Sequence, residues 1–302
     1  MVRIVFMGSP EFALPSLRAL AGAYYDVVGV VTQPDRASGR GRELKPPPVK
    51  TLALELEIPV VQPEKLRAPE AMELLRAWGP DVIVVAAFGQ ILKQDVLDIP
   101  HYGCLNVHAS LLPRWRGAAP IHAAILHGDE ETGVTIMKMD AGLDTGAMLA
   151  KRSIRLKSDD TTGSVTDALS HLGADLLIAT LPRWLAGEIQ LQPQGNSHST
   201  YAPMLKKEEG RLDFAHNAYE LERRVRAFNP WPGAFMDFDG LTLRIHRVHV
   251  EAGNASAGQR LVVANQPAIG ARGGLLVLDE VQPAGKKRMS GKSFLAGARQ
   301  WA

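Results

Sequence analysis

The chain has 302 residues, of which 46% are hydrophobic and 22% charged, and its formal net charge is +2. These values exclude a wholly disordered chain, and the length allows two domains. The single cysteine, Cys104, cannot form a disulfide within the chain and is expected to be a buried thiol; no Cys/His spacing resembles a zinc site. With no apolar run of membrane-spanning length and no targeting pattern, we expect a cytoplasmic protein without metal or membrane contact.

The N-terminal segment predicts a β-α-β unit. Residues 2–7 form a short β-branched run, residues 11–21 are amphipathic, and residues 26–32 form a second apolar run. Such a unit favours the α/β class, with a doubly wound, mostly parallel and Rossmann-like sheet. Gly8 is not followed by the further glycines of a dinucleotide fingerprint, so NAD is not expected.

Residues 33–50 are rich in proline and glycine, which predicts a mobile loop without helix or strand. The loop is basic, because it carries Arg36, Arg40, Arg42 and Lys45. A solvated surface loop and a loop that binds a polyanion both fit this composition.

The α/β pattern continues beyond the basic loop. Helices are predicted over 51–57, 69–78, 121–127 and 161–185, the last with a break or bend at Pro182, and strands over 60–61, 81–87, 105–109 and 133–139. The run 81–87 is nearly all apolar, as a central parallel strand requires. It leads into the turn 88–92, whose backbone is placed to reach a planar ligand.

Two polar side chains stand out in the predicted strand 105–109. Because side chains alternate between the two faces of a strand, Asn106 and His108 share one face. An amide can donate to a developing oxyanion and an imidazole can exchange a proton near neutral pH, so the pair suits addition to a carbonyl. Two polar groups bonded at a buried sheet end are the structural alternative. The loop 140–146 holds two aspartates, and an acid there can orient an imidazole or simply form the turn.

The C-terminal third differs in pattern and in charge. Residues 190–205 are polar and lack periodicity, which predicts a linker between a domain at 1–189 and another at 206–302. Residues 1–205 hold 19 Lys and Arg against 22 Asp and Glu, whereas residues 206–302 hold 15 against 10. After an amphipathic helix, short alternating runs over 234–238, 241–250, 259–263 and 275–280 predict a small antiparallel β-barrel, OB-like, or a sandwich. Its basic excess hints at a polyanionic partner.

Several segments together resemble the methionyl-tRNA formyltransferase family. Ser110-Leu-Leu-Pro-Arg-Trp-Arg-Gly-Ala-Ala-Pro-Ile121 is similar to the family signature, and Asn106, His108 and Asp144 match the Asn-x-His and distant Asp of formyltetrahydrofolate-dependent transferases. Further similar segments are 32–36, 39–42, 226–232 and 282–287. The resemblance covers nearly the whole chain, and the basic loop and C-terminal segments favour the tRNA enzyme over small-amine formyltransferases and formylfolate hydrolases.

The resemblance implies formyl transfer from 10-formyltetrahydrofolate to the α-amine of methionine on initiator tRNA. Asn106 would then bind the oxyanion, His108 would stabilise the oxyanion or shuttle the proton, and Asp144 would orient His108 and accept from the amine. Which of His108 and Asp144 takes the proton stays open. The analogy also places the folate beside Phe88, Gly89, Gln90, Ile91, Leu92, Ser110, Leu111, Leu112, Pro113 and Asp144.

The same resemblance implies that basic side chains contact the tRNA. Those expected to do so are Arg36, Arg40, Arg42, Lys45, Lys206, Lys207, Arg223, Lys286, Lys287 and Arg288. We expect a monomer. Two alternatives stay open: a formyltransferase acting on a small amine such as an amino-sugar nucleotide, and a non-catalytic RNA-binding protein.

Overall fold

The structure is a computed structural model that describes residues 1–38, 43–298 and 300–301. The described chain divides into two compact units. The first comprises the described residues of Met1–Gly117, Thr132–Ile154 and Thr166–Tyr201, and the second those of Ala118–Glu131, Arg155–Val165 and Ala202–Ala302.

Strands and helices alternate in the N-terminal part, and strands dominate after it. The strands are β1 (Val2–Gly8), β2 (Tyr25–Val31), β3 (Arg36–Ser38), β4 (Glu43–Lys45), β5 (Val60–Val61), β6 (Val82–Ala86), β7 (Cys104–His108), β8 (Arg116–Gly117), β9 (Glu131–Lys138), β10 (Met148–Arg155), β11 (Tyr201–Ala202), β12 (Ala234–Phe238), β13 (Leu241–Glu251), β14 (Arg260–Val263), β15 (Gln266–Ala271), β16 (Gly274–Pro283) and β17 (Met289–Ser290). The helices are α1 (Leu14–Ala21), α2 (Pro48–Glu55), α3 (Pro69–Trp78), α4 (Gln94–Leu97), α5 (Pro120–His127), α6 (Thr162–Leu185), α7 (Ala218–Ala227) and α8 (Gly291–Gly297). Short 3-10 turns cover Glu11–Ala13 and Lys207–Gly210.

Seven of the described strands form one sheet in the order β10-β9-β7-β6-β1-β2-β5. β1 pairs in parallel with β2 and β6, β2 pairs in parallel with β5, and β6 with β7, whereas β7 and β9 are antiparallel. All five residues of β6 are buried, as expected for a central parallel strand covered on both faces. The predicted doubly wound, mostly parallel α/β sheet is confirmed.

Helix α6 packs closely against β7, the strand that carries Asn106 and His108. A β-carbon on Gly173 of α6 would lie 2.7 Å from Cγ1 of Val107 and 3.5 Å from Cγ1 of Val134. A larger residue would therefore push the helix away from the strand. The helix runs on through Pro182 to Leu185, so of the two alternatives predicted there, a break or a bend, the break is absent. Only three helical residues follow Pro182, and the fully buried Leu181 packs the preceding turn in place.

The prediction that residues 33–50 lack helix and strand is wrong over part of its length. β3 and β4 pair as a short antiparallel hairpin, and α2 begins at Pro48. A proline fits the first turn of a helix because its missing N–H would have no partner there. Residues 39–42, which include Arg40 and Arg42, lie outside the described residues.

The second unit is built around an antiparallel sheet in the order β12-β13-β16-β15-β14, with β17 added beside β16. Leu221 and Val225 of α7 pack into its core, together with Phe294 of α8 and Trp301. The indole Nε1 of Trp301 donates to the Leu261 carbonyl at 2.8 Å. The predicted small antiparallel β domain is confirmed.

Cys104 is buried in β7, as predicted. Burial raises the pKa of its thiol to about 12, although Lys138 opposes this shift, so the thiol is an inert core group. None of the described helices combines the length and apolar character needed to cross a membrane. Among the described residues, no group of three or more His, Cys, Asp or Glu side chains is placed to hold a metal ion.

Candidate active site

The polar pair lies where two neighbouring parallel strands end. Val85 of β6 pairs with Asn106 of β7, and β7 ends two residues later at His108. The turn Phe88–Leu92 follows β6, so it leaves the sheet at the same edge. Ligands of open α/β sheets bind outside the carboxyl ends of the strands, near the point where the strand order reverses. This edge is therefore the candidate site.

The ring of His108 is held in one orientation. Its side chain is only 6% exposed, and Nε2 lies 3.0 Å from the carbonyl oxygen of Trp115. Because a carbonyl oxygen only accepts, Nε2 carries the proton and donates. In the neutral ring, Nδ1 is then an unprotonated acceptor, and it faces Oδ2 of Asp144 at 3.8 Å.

The two aspartates of the loop 140–146 have different roles. Oδ1 of Asp140 accepts from the Gly142 N–H at 3.0 Å and from the Thr145 hydroxyl at 2.7 Å, so Asp140 forms the turn. Oδ2 of Asp144 accepts from the Gly117 N–H at 2.8 Å and faces His108. From the sequence, an aspartate in this loop was expected either to form the turn or to orient a histidine. The loop contains one aspartate of each kind.

The loop has little freedom to move. Asp144 has a φ of +52°, a region that non-glycine residues rarely occupy. A β-carbon on Gly146 would lie 1.8 Å from the Lys138 carbonyl oxygen, so only glycine fits at this point of the loop. The backbone therefore fixes the place from which Asp144 reaches His108.

The segment after His108 is fastened by Thr135 of β9. The Thr135 hydroxyl donates to the Ser110 carbonyl at 2.7 Å and accepts from the Leu112 N–H at 3.1 Å. The Ser110 hydroxyl is buried and donates to the Arg114 carbonyl at 2.6 Å. Lys151 donates to the Leu112 carbonyl at 3.3 Å. Ser110 and Leu112 thus stabilise the loop through backbone hydrogen bonds, the Ser110 hydroxyl and the buried Leu112 side chain. Leu111 and Pro113 are half-buried.

In the turn after β6, most side chains support the fold. Phe88 and Leu92 are buried in the core, and Gly89 takes a φ of +80°. The Gln90 amide accepts from Leu66 N–H at 2.9 Å and donates to the Pro63 carbonyl at 3.2 Å. Ile91 is 71% exposed. A flat ligand beside this turn would therefore meet backbone groups and the Ile91 side chain.

Comparison with known proteins identifies the family of the chain. The formyl transferase family matches residues 2–181, and the formyl transferase C-terminal domain matches residues 204–299. A methionyl-tRNA formyltransferase of Geobacter sulfurreducens is 50% identical over 299 residues, which cover 99% of this chain and 94% of the relative. The chain belongs to the methionyl-tRNA formyltransferase family. The resemblance seen in the sequence is confirmed.

Solved structures of formyltransferases share the fold at low sequence identity. An N-formyltransferase from Helicobacter canadensis, in complex with folinic acid and dTDP-3-aminofucose, has a TM-score of 0.67 and 17% identity, covering 94% of this chain and 100% of that one. A methionyl-tRNA formyltransferase from Clostridium thermocellum has a TM-score of 0.57 and 15% identity, covering 83% and 94%. At such identities the similarity concerns the fold alone.

Two of the four basic loop residues expected to contact the tRNA are described by the structure, and they lie opposite each other. Arg36 of β3 pairs directly with Lys45 of β4, and both side chains are exposed. Like charges opposite each other destabilise a strand pair, and a polyanion would relieve their repulsion. Lys50 donates to both carboxylate oxygens of Asp35 at 2.7 and 2.9 Å, which ties the base of the hairpin to α2.

The expected C-terminal basic residues have unequal surroundings. Lys206, Lys207, Lys286 and Lys287 are exposed, and Arg288 is paired with Glu280 at 3.3 Å. Arg223 is half-buried and donates to the Leu126 carbonyl at 3.2 Å, so it already supports the fold of the second unit.

Several groups that build the site carry no sequence signal. The Trp115 carbonyl and the Gly117 N–H act through the backbone, so side-chain chemistry could not reveal them. Thr135 lies in an apolar strand, directly opposite His108. Gln194 donates to the carbonyls of Asp144 and Gly146 from a segment whose composition predicts a linker.

Proposed function

We propose that this protein transfers the formyl group of 10-formyltetrahydrofolate to the α-amine of methionine on initiator tRNA. The observation that carries the proposal is the pairing of His108 Nδ1 with Asp144 Oδ2 at 3.8 Å, beside Asn106, in a chain of this family. Two acceptor atoms at this distance suit a proton donor between them. A protonated amine about 2.8 Å from each can reach both.

The three side chains divide the chemistry between them. When bound, the formylfolate supplies the carbonyl carbon that the neutral amine attacks. The Asn106 amide donates to the oxygen that gains negative charge, as oxyanion donors do. His108 and Asp144 together draw the proton from the nitrogen that has become positive.

We assign the proton to Nδ1 of His108. Imidazole is a stronger base than a carboxylate in general, and Asp144 Oδ2 already accepts from the Gly117 N–H. Asp144 then stabilises the imidazolium. The proton finally replaces the formyl group on the departing folate nitrogen, so His108 returns to its starting form.

The residues proposed to surround the folate lie on three loops. Two of them leave the sheet at this edge, and the third follows the antiparallel strand β9 and brings Asp144 to His108. The turn 88–92 contributes backbone groups and Ile91, residues 110–113 contribute the loop that Thr135 fastens, and Asp144 completes the set. A polar, flat heterocycle fits backbone groups of this kind, because peptide N–H and carbonyl groups match alternating ring donors and acceptors.

The tRNA would be held by charge on both units. Arg36 and Lys45 lie opposite each other. The sequence between them holds two further arginines, at 40 and 42, and residues 206–302 hold 15 basic against 10 acidic residues. Phosphate contacts of this type bind without sequence preference and weaken as salt rises. Lys206, Lys207, Arg223, Lys286, Lys287 and Arg288 belong to the same proposal.

The test compares two acceptors. The protein is supplied with 10-formyltetrahydrofolate and either methionyl initiator tRNA or methionyl elongator tRNA, and formylmethionine is measured. Transfer to the initiator alone is expected. Equal, negligible transfer to both would contradict the proposal and leave a non-catalytic RNA-binding protein.

A variant of the basic loop tests the alternative that the substrate is a small amine. Replacing Arg42 with Ala should strongly reduce transfer to initiator methionyl-tRNA, because a phosphate contact is lost. A formyltransferase for amino-sugar nucleotides would not respond to this change, and it would formylate the free amine at an undiminished rate.

The proposal also includes the domain limits, the oligomeric state and the cellular compartment. We place a catalytic domain at 1–189, a linker at 190–205 and a tRNA-binding domain at 206–302. We propose a monomer that works in the cytoplasm, where initiator tRNA is charged and used. Sedimentation with and without tRNA would measure the number of copies in the complex.

A further inference from the structure

Residues 192–200 run beside both catalytic loops. The backbone of Gln192 exchanges two hydrogen bonds with Met148, at 2.9 and 3.0 Å. Two residues later, the Gln194 amide nitrogen donates to the Asp144 carbonyl at 2.8 Å and to the Gly146 carbonyl at 2.7 Å. The Gln194 amide oxygen accepts from Nε of Arg116 at 3.0 Å. The side chain therefore uses both of its donor hydrogens and its acceptor.

We propose that Gln194 is a positioning residue for formyl transfer, which sets the direction of the Asp144 carboxylate toward His108. The proposal rests on the proposed function for the identity of the reaction. It adds a residue that touches neither the amine nor the formyl group and acts through the backbone of Asp144.

The backbone of Asp144 needs such a partner. Its φ of +52° is costly for a residue with a β-carbon, and the direction of its side chain follows from that backbone conformation. The carboxylate is bonded on one side by the Gly117 N–H. Gln194 holds the carbonyls on either side of Thr145, so it fixes the backbone from which the carboxylate projects.

Arg116 closes this arrangement into a ring. Arg116 precedes Gly117, whose N–H binds the Asp144 carboxylate, and Arg116 itself donates to Gln194. Within the described residues, Nη2 of Arg116 is buried without a hydrogen-bond partner, while Nη1 reaches the Asn196 side chain at 3.3 Å. Of the two side chains that accept hydrogen bonds from this guanidinium, Gln194 thus makes the shorter contact.

The far end of the same segment fixes the other catalytic partner. The Thr200 hydroxyl accepts from the Trp115 N–H at 2.9 Å, and the Thr200 carbonyl accepts from the Arg116 N–H at 2.9 Å. The Trp115 carbonyl accepts the hydrogen bond from His108 Nε2. One short segment therefore contacts the loops that hold His108 and Asp144.

The segment contributes little to the hydrophobic core. All residues from 192 to 200 are exposed or half-buried. Replacing one of them should therefore change unfolding only slightly, whereas a change in the aim of a catalytic group is costly. This separates a positioning role from a folding role.

The test uses Gln194→Glu, which keeps the shape and the acceptor for Arg116 but replaces the donor nitrogen with an oxygen. We expect kcat for initiator methionyl-tRNA to fall roughly tenfold to hundredfold, with KM changed less than about twofold and an altered pH–rate profile. Gln192→Glu is the matched control, because it adds the same charge two residues away on an exposed side chain. The control should keep the wild-type rate.

A second measurement does not depend on activity. Hydrogen exchange of the Gly117 amide reports its bond to Asp144, and we expect it to accelerate about tenfold in Gln194→Glu but not in Gln192→Glu. Unchanged kcat and unchanged Gly117 exchange would overturn the proposal. So would a lower kcat accompanied by a large fall in Tm, since that assigns Gln194 to folding. Failure of the wild-type protein to form formylmethionine would instead contradict the proposed function, and Gly117 exchange would still decide the role of Gln194.

Discussion

Two of the histidine–carboxylate pairs among the described residues have different settings. In the first unit, His108 is 6% exposed and its Nδ1 stands 3.8 Å from Asp144. In the second unit, His249 is 43% exposed and its Nδ1 lies 2.9 Å from Asp279, with Nε2 3.3 Å from Glu251. Gln266 also donates to Asp279 at 3.1 Å. The exposed pair is closed by direct bonds, whereas the buried pair is held apart.

The difference indicates which pair can do chemistry. Both ring nitrogens of His249 lie within hydrogen-bond distance of a carboxylate, so no room is left for a substrate group between the ring and either acid. His108 gives one nitrogen to a backbone carbonyl and keeps the other toward Asp144, beyond hydrogen-bond distance. A satisfied pair contributes to stability, whereas the separated pair leaves room for the substrate amine proposed above.

The largest expected effect on kcat is the difference between two variants, each of which removes one of the imidazoles. His108→Ala should lower kcat for formylation by roughly a hundredfold to ten-thousandfold, because the proposed proton acceptor is lost. His249→Ala should leave kcat near the wild-type value. Steady-state formylation of initiator methionyl-tRNA measures both, and equal losses in the two variants would end the contrast.

Asn106→Ala extends the comparison to the proposed oxyanion donor, whereas the amide in the His249 cluster, on Gln266, donates to Asp279. We expect kcat to fall roughly a hundredfold to a thousandfold, as on removal of an oxyanion-hole donor, while KM changes little. The same assay, with tRNA binding measured separately as a control, checks this. A change in KM alone would assign Asn106 to binding.

The two carboxylates should separate activity from stability. Asp144→Asn keeps an oxygen for the Gly117 N–H but loses the charge facing His108, so kcat should fall at least about tenfold with little change in Tm. Asp279→Asn should leave kcat unchanged and lower Tm by a few degrees, about what one lost ion-pair partner costs. Paired kinetic and calorimetric measurements test both, and a reversed pattern would contradict the assignment.

The smallest effect concerns pH. Burial lowers the pKa of His249, but its hydrogen bonds to Asp279 and Glu251 outweigh burial and raise the pKa above its ordinary value. The resulting stabilisation is present below about pH 6.5 and is lost as pH rises through the folded-state pKa. Tm should therefore fall more between pH 6 and pH 9 in the wild type than in His249→Gln, by roughly 1–3 °C. Parallel curves would remove His249 as the source.

The sequence predicted the frame of the molecule well because its elements follow simple periodicities. The predicted bounds of α3 and β12 agree with the structure, and the all-apolar run around β6 is the central strand it predicted. β10 was missed, because an edge strand with many exposed polar residues lacks a clear alternation. β15 was missed since Pro267 and Gly270 interrupt its apolar run.

The site was predictable only where side chains carry the chemistry. Strand alternation places Asn106 and His108 together, and the family resemblance named Asp144, which the structure brings to 3.8 Å from His108. The backbone groups of Trp115 and Gly117 have no side-chain signature, and Gln194 belongs to a polar stretch without periodicity. Long-range bonds of this kind depend on the folded chain rather than on local pattern.

The contact of Gly173 with Val107 gives the site a hidden mutational sensitivity. A methyl group at position 173 would press on the residue that separates Asn106 from His108 in β7. Helix α6 packs on the face of the sheet opposite to the two polar side chains. A substitution in this helix would nevertheless shift both of them, because it displaces β7. A random screen for lost formylation should therefore recover changes at this glycine, although it touches no substrate and lies in the middle of a well-formed helix.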